Sequence, residues 1–479
     1  MPKANFRKPF SKRFMKLPQE IFREYDIRGL VGKQLNEEAM ELLGKGFGTF
    51  IQNKSGKRVV VGNDSRESSE KFRKSFIEGL TSTGYSVTSI GLATTPMLYF
   101  AVNLLEADAG VSVTASHNPI EFNGIKLTEK KAFPVFGKEI QEIRKIIEGK
   151  NFAAGKGSIE EKSIKKNYLE MLKQKIRLGR KKLRVVVDTG NGTAGIVAGD
   201  ALRQWGCEVI ELFTELDSSF PNHLPDPTVK ENLQELIAKV KEEKADIGIG
   251  IDGDADRIGV VDGKGSIVWA DKLLAVFAKE FLQKNFGKKV LFDVKCSEAV
   301  VEVVKANGGK PIIWKTGHSL IKSKMREDNI LLAGEMSGHI FFKDEFFGFD
   351  DAVYAAGRLL RILSNSDKSL SEIEAEIPQY VNTPEQRIDC EETEKEKIVQ
   401  EVAKHFKEKY PDSITIDGIR IKFSDGWGLV RKSNTQPKLI LRFEAKSEKE
   451  LEKIRKEIAE KLKEFKAVKA EQLRNASSA

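Results

Sequence analysis

Cysteine is scarce in this chain: Cys207, Cys296 and Cys390 are odd in number, far apart and outside any metal-ligand spacing. That excludes a disulfide framework and points to inert thiols in a reducing compartment. No run approaches the ~18 consecutive apolar residues of a membrane span, and a signal-peptide core is lacking. Histidine is also sparse, at five residues. Acids are missing from the first nineteen residues, where Lys3, Arg7, Lys8, Lys12, Arg13 and Lys16 stand. These supply six of the formal nine positive charges, so the rest of the chain is nearly balanced. The arm 1–19 is expected to be solvated and flexible. The reading is a cytoplasmic, soluble protein whose partner is neither nucleic acid nor membrane. At 479 residues, 40% apolar and 32% charged, the chain suffices for about three or four domains that bury their own cores.

An internal repeat organises what is present. Lys57–Asp64, Leu183–Asp188 and Lys288–Asp293 are short β-branched runs ending in a carboxylate, as buried parallel strands read. A second run follows each: Gly110–Thr114, Ile247–Ile251 and Ile330–Ala333. Helical patterns lie between them, such as Glu231–Val240 with Leu233, Leu236, Ile237 and Val240 on one face. This predicts three tandem, related α/β domains with mainly parallel mixed sheets, over 20–162, 163–268 and 269–380. After 380, Gly418–Phe423 and Leu439–Phe443 alternate as half-buried strands, and a helix carries Leu451, Ile454, Ile458, Leu462 and Phe465. A smaller α+β domain is expected over 381–470, with a tail at 471–479. Ligands of open α/β sheets bind beyond the carboxyl ends of the strands, so the loops there are where chemistry is sought.

The second such loop, Asp252-Gly253-Asp254-Ala255-Asp256-Arg257, puts carboxylates at i, i+2 and i+4, on one face of an extended segment. Their mutual repulsion calls for a hard divalent cation, read as Mg2+. An EF-hand fails because Arg257 and Gly263 stand where Gly and Glu are required. The fingerprint Gly248-x-Gly250-x-x-Gly253 is weak, its glycines lying in the strand beside acids. The first loop, Thr114-Ala115-Ser116-His117-Asn118-Pro119, offers Ser116 as nucleophile or phosphate carrier, or merely a turn with capping hydroxyls. The third, Gly334-Glu335-Met336-Ser337-Gly338-His339, suits sugar hydroxyls or a hydrogen-bonded turn equally. Arg431-Lys432-Ser433-Asn434-Thr435, with Arg442 on the next strand, makes either a phosphate clamp or a solvated basic turn. His223 and His405 read as structural and helix-surface residues. Together the loops fit phosphoryl transfer on a phosphorylated polyol, where positioning and charge neutralisation dominate.

In this order, the loops resemble those of the α-D-phosphohexomutase family from about residue 20 to 445, in the form typical of bacterial phosphomannomutase/phosphoglucomutase. Glu24-Tyr25-Asp26-Ile27-Arg28-Gly29, Asp293-Val294-Lys295-Cys296 and Thr316-Gly317-His318-Ser319 add to the match. The resemblance implies four domains around one central cleft, and one Mg2+ held by Ser116, Asp252, Asp254 and Asp256. It implies a phosphoserine at Ser116 and a hexose 1,6-bisphosphate intermediate between hexose 1- and 6-phosphates. Arg28, Lys126 and His339 would serve as acid–base or charge-stabilising groups, Arg28 through its charge first. Substrate contacts would fall to Tyr25, His117, Asn118, Arg257, Lys295, His318, Glu335, Ser337, Arg431, Ser433, Asn434, Thr435 and Arg442. Asn63 and Ser65 depart from the family's usual Arg and Gly. A phosphoglucosamine mutase and a non-catalytic phosphosugar-binding protein are the competing readings. A monomer or small homo-oligomer is expected.

Overall fold

The computed structural model describes residues 15–52, 56–433, 436–469 and 472; most of the basic arm and the tail lie outside them. Three sheets share one strand pattern. In the first, Ser86–Leu92, Arg58–Asn63 and Ala109–Val113 run parallel, and Phe122–Glu129 returns antiparallel beside the last. In the second, Glu208–Leu212, Arg184–Asp188 and Ile247–Ile251 are followed by antiparallel Ile258–Asp262. In the third, Lys310–Trp314, Lys289–Asp293 and Leu332–Gly334 are followed by antiparallel Ile340–Phe342. The loops carrying Ser116, the aspartates and Glu335 are therefore equivalent. Each joins the third strand to the antiparallel fourth at the carboxyl end of the sheet, where such folds place ligands.

Alternation in the central strands explains why the three units do not separate. Val60, Val185, Val187, Val290 and Phe292 face one continuous core that runs through all three units. Their neighbours turn the other way: Val59 and Val61 meet the helices of the first unit, Val186 those of the second and Leu291 those of the third. Side chains of successive strand residues point to opposite faces, so each strand serves its own helices and the common core.

The fourth unit is a separate antiparallel sheet in the order Val381–Asn382, Lys438–Ala445, Gly426–Lys432, Ile419–Lys422, with Gln386–Asp389 also paired to Lys438–Ala445. Helices Lys395–Lys409 and Glu448–Leu462 complete its own core. The helix expected over 231–240 is split into a 3-10 turn, Lys230–Leu233, and an α-helix, Gln234–Glu242. All three cysteines are buried as thiols. Among the described residues, no helix is long and apolar enough to cross a membrane.

Candidate active site

Ser116 is buried, with a left-handed backbone (φ 52°), and its Oγ donates to Asp252 Oδ2 at 2.8 Å and lies 3.0 Å from His117 Nδ1. Such a conformation costs a non-glycine residue energy unless its surroundings over-determine it. Arg66 supplies that constraint. Its terminal nitrogens donate to the carbonyls of Ser116 (2.8 Å), Asn118 (2.5 Å), Pro119 (2.8 Å) and Phe122 (3.1 Å), while Asp64 lies 3.4 Å from its Nε. Gly253 must be glycine, because a Cβ there would fall 2.4 Å from the Ser116 carbonyl oxygen. A planar guanidinium spreads donors over four acceptors, which an ammonium cannot match. Arg66→Lys is expected to lower kcat about 10- to 100-fold with KM within about threefold, as a misplaced nucleophile would. Steady-state kinetics separate the two parameters.

Asp252, Asp254 and Asp256 are buried, with one oxygen of each within 4.8 Å of the others. Lys126 Nζ bridges Asp254 Oδ2 at 2.6 Å and Asp256 Oδ2 at 2.5 Å, and Thr95 Oγ1 donates to Asp254 Oδ2 at 2.6 Å. Thr95 gets there because its helix, Thr95–Leu104, starts at the loop: Thr94 caps it and Pro96 fits its first turn. Burial, and then the neighbouring carboxylates of Asp256 and Asp254, push the Asp252 carboxyl well above its ordinary range. Burial opposes charge on Lys126 and Asp256 too. The two aspartates nevertheless hold Lys126 well up, while Lys126 and His339 hold Asp256 well down. Asp254 Oδ1 and Asp256 Oδ1 are buried with no hydrogen bond among the described residues. Three converging carboxylates, with Asp254 Oδ1 unpartnered among the described residues, beside a serine hydroxyl form an oxygen donor set of the kind a hard divalent cation takes. A second trio, Asp256, His339 and Asp350, is as close-knit, but Lys322 already occupies Asp350 at 2.9 Å.

The third loop stands opposite. Glu335 Oε1 accepts from the Gly317 amide at 2.5 Å, and Glu335 Oε2 lies 3.0 Å from His339 Nδ1. Ser337 Oγ is 3.1 Å from the same nitrogen, and His339 Nε2 faces Asp256 Oδ1 at 3.2 Å. Burial disfavours the imidazolium, but Asp256 and Glu335 outweigh it and raise His339 to about 9. An unfolded histidine titrates near 6.5, so this group's stabilisation is complete below that and is lost as pH rises through about 9. In metal-free protein the stability advantage of wild type over His339→Gln should shrink by up to ~3 kcal/mol between pH 6 and pH 10. Urea midpoints at the two pH values test this.

Arg28 reaches Asn118 Oδ1 at 2.7 Å and Asp26 at 2.5 Å, which brings the first strand, Ile27–Leu30, to the Ser116 loop. His117 lies 4.0 Å from Asp226. Burial, with Arg257 and Arg28 nearby, holds its imidazole well below the ordinary range, hence neutral. Tyr25 donates to the Thr316 carbonyl at 2.8 Å and lies edge-on to His318. A Cβ at Gly317 would strike the Tyr25 ring, so the glycine permits this approach. Arg431 is fixed by Asp417 at 3.0 Å, and Lys295 by Glu385 at 3.2 Å. Ser433 is buried, and its carbonyl accepts from Lys395 at 2.9 Å; Asn434 and Thr435 lie outside the described residues. Arg442 differs from expectation. Its guanidinium is spent on Asp271 at 3.3 Å and on the Lys295 carbonyl, so it joins the third unit to the fourth instead of gripping a phosphate.

Motif reading missed Arg66, Thr95, Lys395 and Asp417, whose partners stand 14 to 159 residues away. Only Arg66 had a visible signal, in the Gly62–Arg66 run that ends the strand Arg58–Asn63.

A loop with a buried serine, a loop with three aspartates and a loop with Glu335, Ser337 and His339, at equivalent corners of three fused α/β units, form the framework of a multidomain phosphotransferase. Residues 19–154, 166–265 and 269–380 match the alpha/beta/alpha domains I, II and III of phosphoglucomutase/phosphomannomutase, and 387–461 match its C-terminal domain. The chain belongs to the phosphoglucomutase/phosphomannomutase family. It is 44% identical to a phosphomannomutase/phosphoglucomutase of Pseudomonas aeruginosa (strain PAO1), covering 93% of this chain and 96% of that one. A phosphoglucomutase of Neisseria gonorrhoeae is 43% identical, over 91% and 95% of the two chains. A crystal structure of a Burkholderia thailandensis family protein superposes with a TM-score of 0.89 at 40% identity, covering 94% of this chain and 98% of that one.

Proposed function

We propose that this chain interconverts the 1- and 6-phosphates of mannose and glucose, with Ser116 as phosphoryl carrier and a hexose 1,6-bisphosphate as intermediate. The carrying observation is the Ser116 hydroxyl hydrogen-bonded at 2.8 Å into a buried three-aspartate cluster in which Asp254 Oδ1 is left without a partner among the described residues. Asp252, Asp254, Asp256 and the Ser116 oxygen would hold one Mg2+, which when bound supplies positive charge against the phosphoryl oxygens.

In this reading a sugar hydroxyl attacks the phosphorus of phosphorylated Ser116. The bond from phosphorus to Oγ breaks as the bond to the sugar oxygen forms, and the proton the hydroxyl loses is matched by one gained at Oγ, giving the bisphosphate and a free Ser116 hydroxyl. The intermediate turns over, and its other phosphoryl group returns to Ser116. On that return the serine proton leaves along one of two existing contacts, to His117 Nδ1 at 3.0 Å or Asp252 Oδ2 at 2.8 Å. Lys126, His339 and Arg28 share the transferring negative charge, which is most effective in a water-excluded site. Glu335 and Ser337 accept sugar hydroxyls, while Arg431, Ser433, Asn434 and Thr435 hold the non-reacting phosphate with Lys295 and Tyr25. Asn118 and Arg257 line the site.

A panel of mannose 1-phosphate, glucose 1-phosphate and glucosamine 6-phosphate, primed with glucose 1,6-bisphosphate, tests this. Mannose and glucose phosphates are expected to turn over at least about tenfold better in kcat/KM, roughly 1.4 kcal/mol of discrimination. A preference for the amino sugar would replace the reading with a phosphoglucosamine mutase.

A further inference from the structure

His318 begins the helix His318–Glu327, and Lys322, four residues on, shares its face. Both side chains meet Asp350, a fully buried carboxylate whose backbone is bridged to Phe341 in the antiparallel strand of the third sheet. Lys322 Nζ donates to Asp350 Oδ1 at 2.9 Å and sits over the ring of Tyr99, from the helix that starts at the metal loop. The other oxygen, Asp350 Oδ2, has no hydrogen bond among the described residues; neither has His318 Nδ1, and the two face each other across 3.7 Å. His339 is less available to this oxygen: its Nε2 is 3.9 Å away and already faces Asp256, and its Nδ1 is engaged by Glu335. A buried acceptor and a buried ring nitrogen left unpaired and facing are each costly alone and cheap together.

We infer that Asp350 is a positioning residue for His318: its carboxylate oxygen, 3.7 Å from Nδ1, draws the ring proton to that nitrogen and thereby fixes the tautomer whose Nε2 meets the substrate as an acceptor. The sealed nitrogen is Nδ1, so the 12% of the His318 side chain that remains exposed lies elsewhere on the ring. Burial, with Lys322 and His339 close by, holds the imidazole well below its ordinary range, so one nitrogen carries a proton and the other a lone pair. His318 then recognises a hydroxyl of the hexose, not its phosphate. This rests on the site assignment proposed above and specifies what one substrate contact, His318, would meet.

Asp350→Asn gives a sharp test because Lys322 claims the one acceptor oxygen the amide retains. The amide NH2 is left facing His318, which favours the opposite tautomer. In protein labelled with 15N-histidine, with His318→Gln assigning the signal, wild type should show a protonated Nδ1 and the Asp350→Asn variant a protonated Nε2. Kinetically, Asp350→Asn and His318→Gln should each lower kcat/KM about 10- to 100-fold, and the double variant should fall within about threefold of the worse single. Thermal melts confirm that the variants compared are folded. Losses that multiply in the double variant, or an unchanged tautomer in Asp350→Asn, would overturn the inference. If wild type turned over no hexose phosphate, the proposed function would fall, while the tautomer measurement on the unliganded protein would still decide the role of Asp350.

Discussion

Ser116→Ala is expected to remove mutase turnover by roughly four orders of magnitude or more, the scale on which losing a covalent nucleophile acts. The substitution deletes one buried oxygen. That oxygen accounts for the contacts to Asp252 and His117, while the loop itself is held through the Ser116 carbonyl, which alanine retains. The variant should therefore fold, bind sugar phosphates, and acquire no phosphoryl group from glucose 1,6-bisphosphate by intact-mass analysis. A non-catalytic phosphosugar-binding protein would lose nothing on this substitution. Turnover surviving in Ser116→Ala would remove the phosphoserine route.

The second large effect concerns the aspartates. Three buried carboxylates face the Lys126 ammonium, with the His339 ring beside Asp256 Oδ1, and leave Asp254 Oδ1 without a partner among the described residues. Chelation should abolish turnover reversibly, and added Mg2+ should raise the melting temperature. Saturation at 100 times the dissociation constant corresponds to about 2.7 kcal/mol. Asp254→Asn removes one charge from the cluster, so the metal-free variant should melt no lower than metal-free wild type. It should lose the response to Mg2+ and most of its kcat, about 10³-fold, as expected when a charge-neutralising group is lost from phosphoryl transfer. Calorimetry with and without Mg2+, beside the kinetics, separates these outcomes. A thermal response to Mg2+ retained in Asp254→Asn would place the ion elsewhere.

Much of this arrangement was legible in the chain because the repeat is a pattern of burial. Val59–Val61, Val185–Val187 and Val290–Phe292 are apolar on both faces, since each strand serves two cores, and that doubles the signal. The aspartates stood out because three charges at alternate positions after a strand have few structural uses. The other residues were harder to read for a physical reason: their importance is set by partners that the chain brings together late. Arg66 works by embracing carbonyls some 50 residues away, Thr95 by touching Asp254 across a unit boundary, and Asp350 by facing a ring in another element. Arg442 reads as a phosphate ligand beside Arg431, yet on the strand Lys438–Ala445 its side chain meets Asp271 of the third unit. The strand Gly426–Lys432, which carries Arg431, went unread because two glycines and a tryptophan blur its alternation.

The central claim, that Ser116 passes its phosphoryl group to the sugar and recovers it, is tested most directly in a single turnover. Protein carrying 32P on Ser116 is mixed with excess unlabelled glucose 1-phosphate in Mg2+ and quenched over time. The account predicts that label leaves the protein, appears first in hexose bisphosphate and then in glucose 6-phosphate, at rates no slower than kcat. Label that stays on the protein while glucose 6-phosphate accumulates, or that is released only as inorganic phosphate, would contradict it.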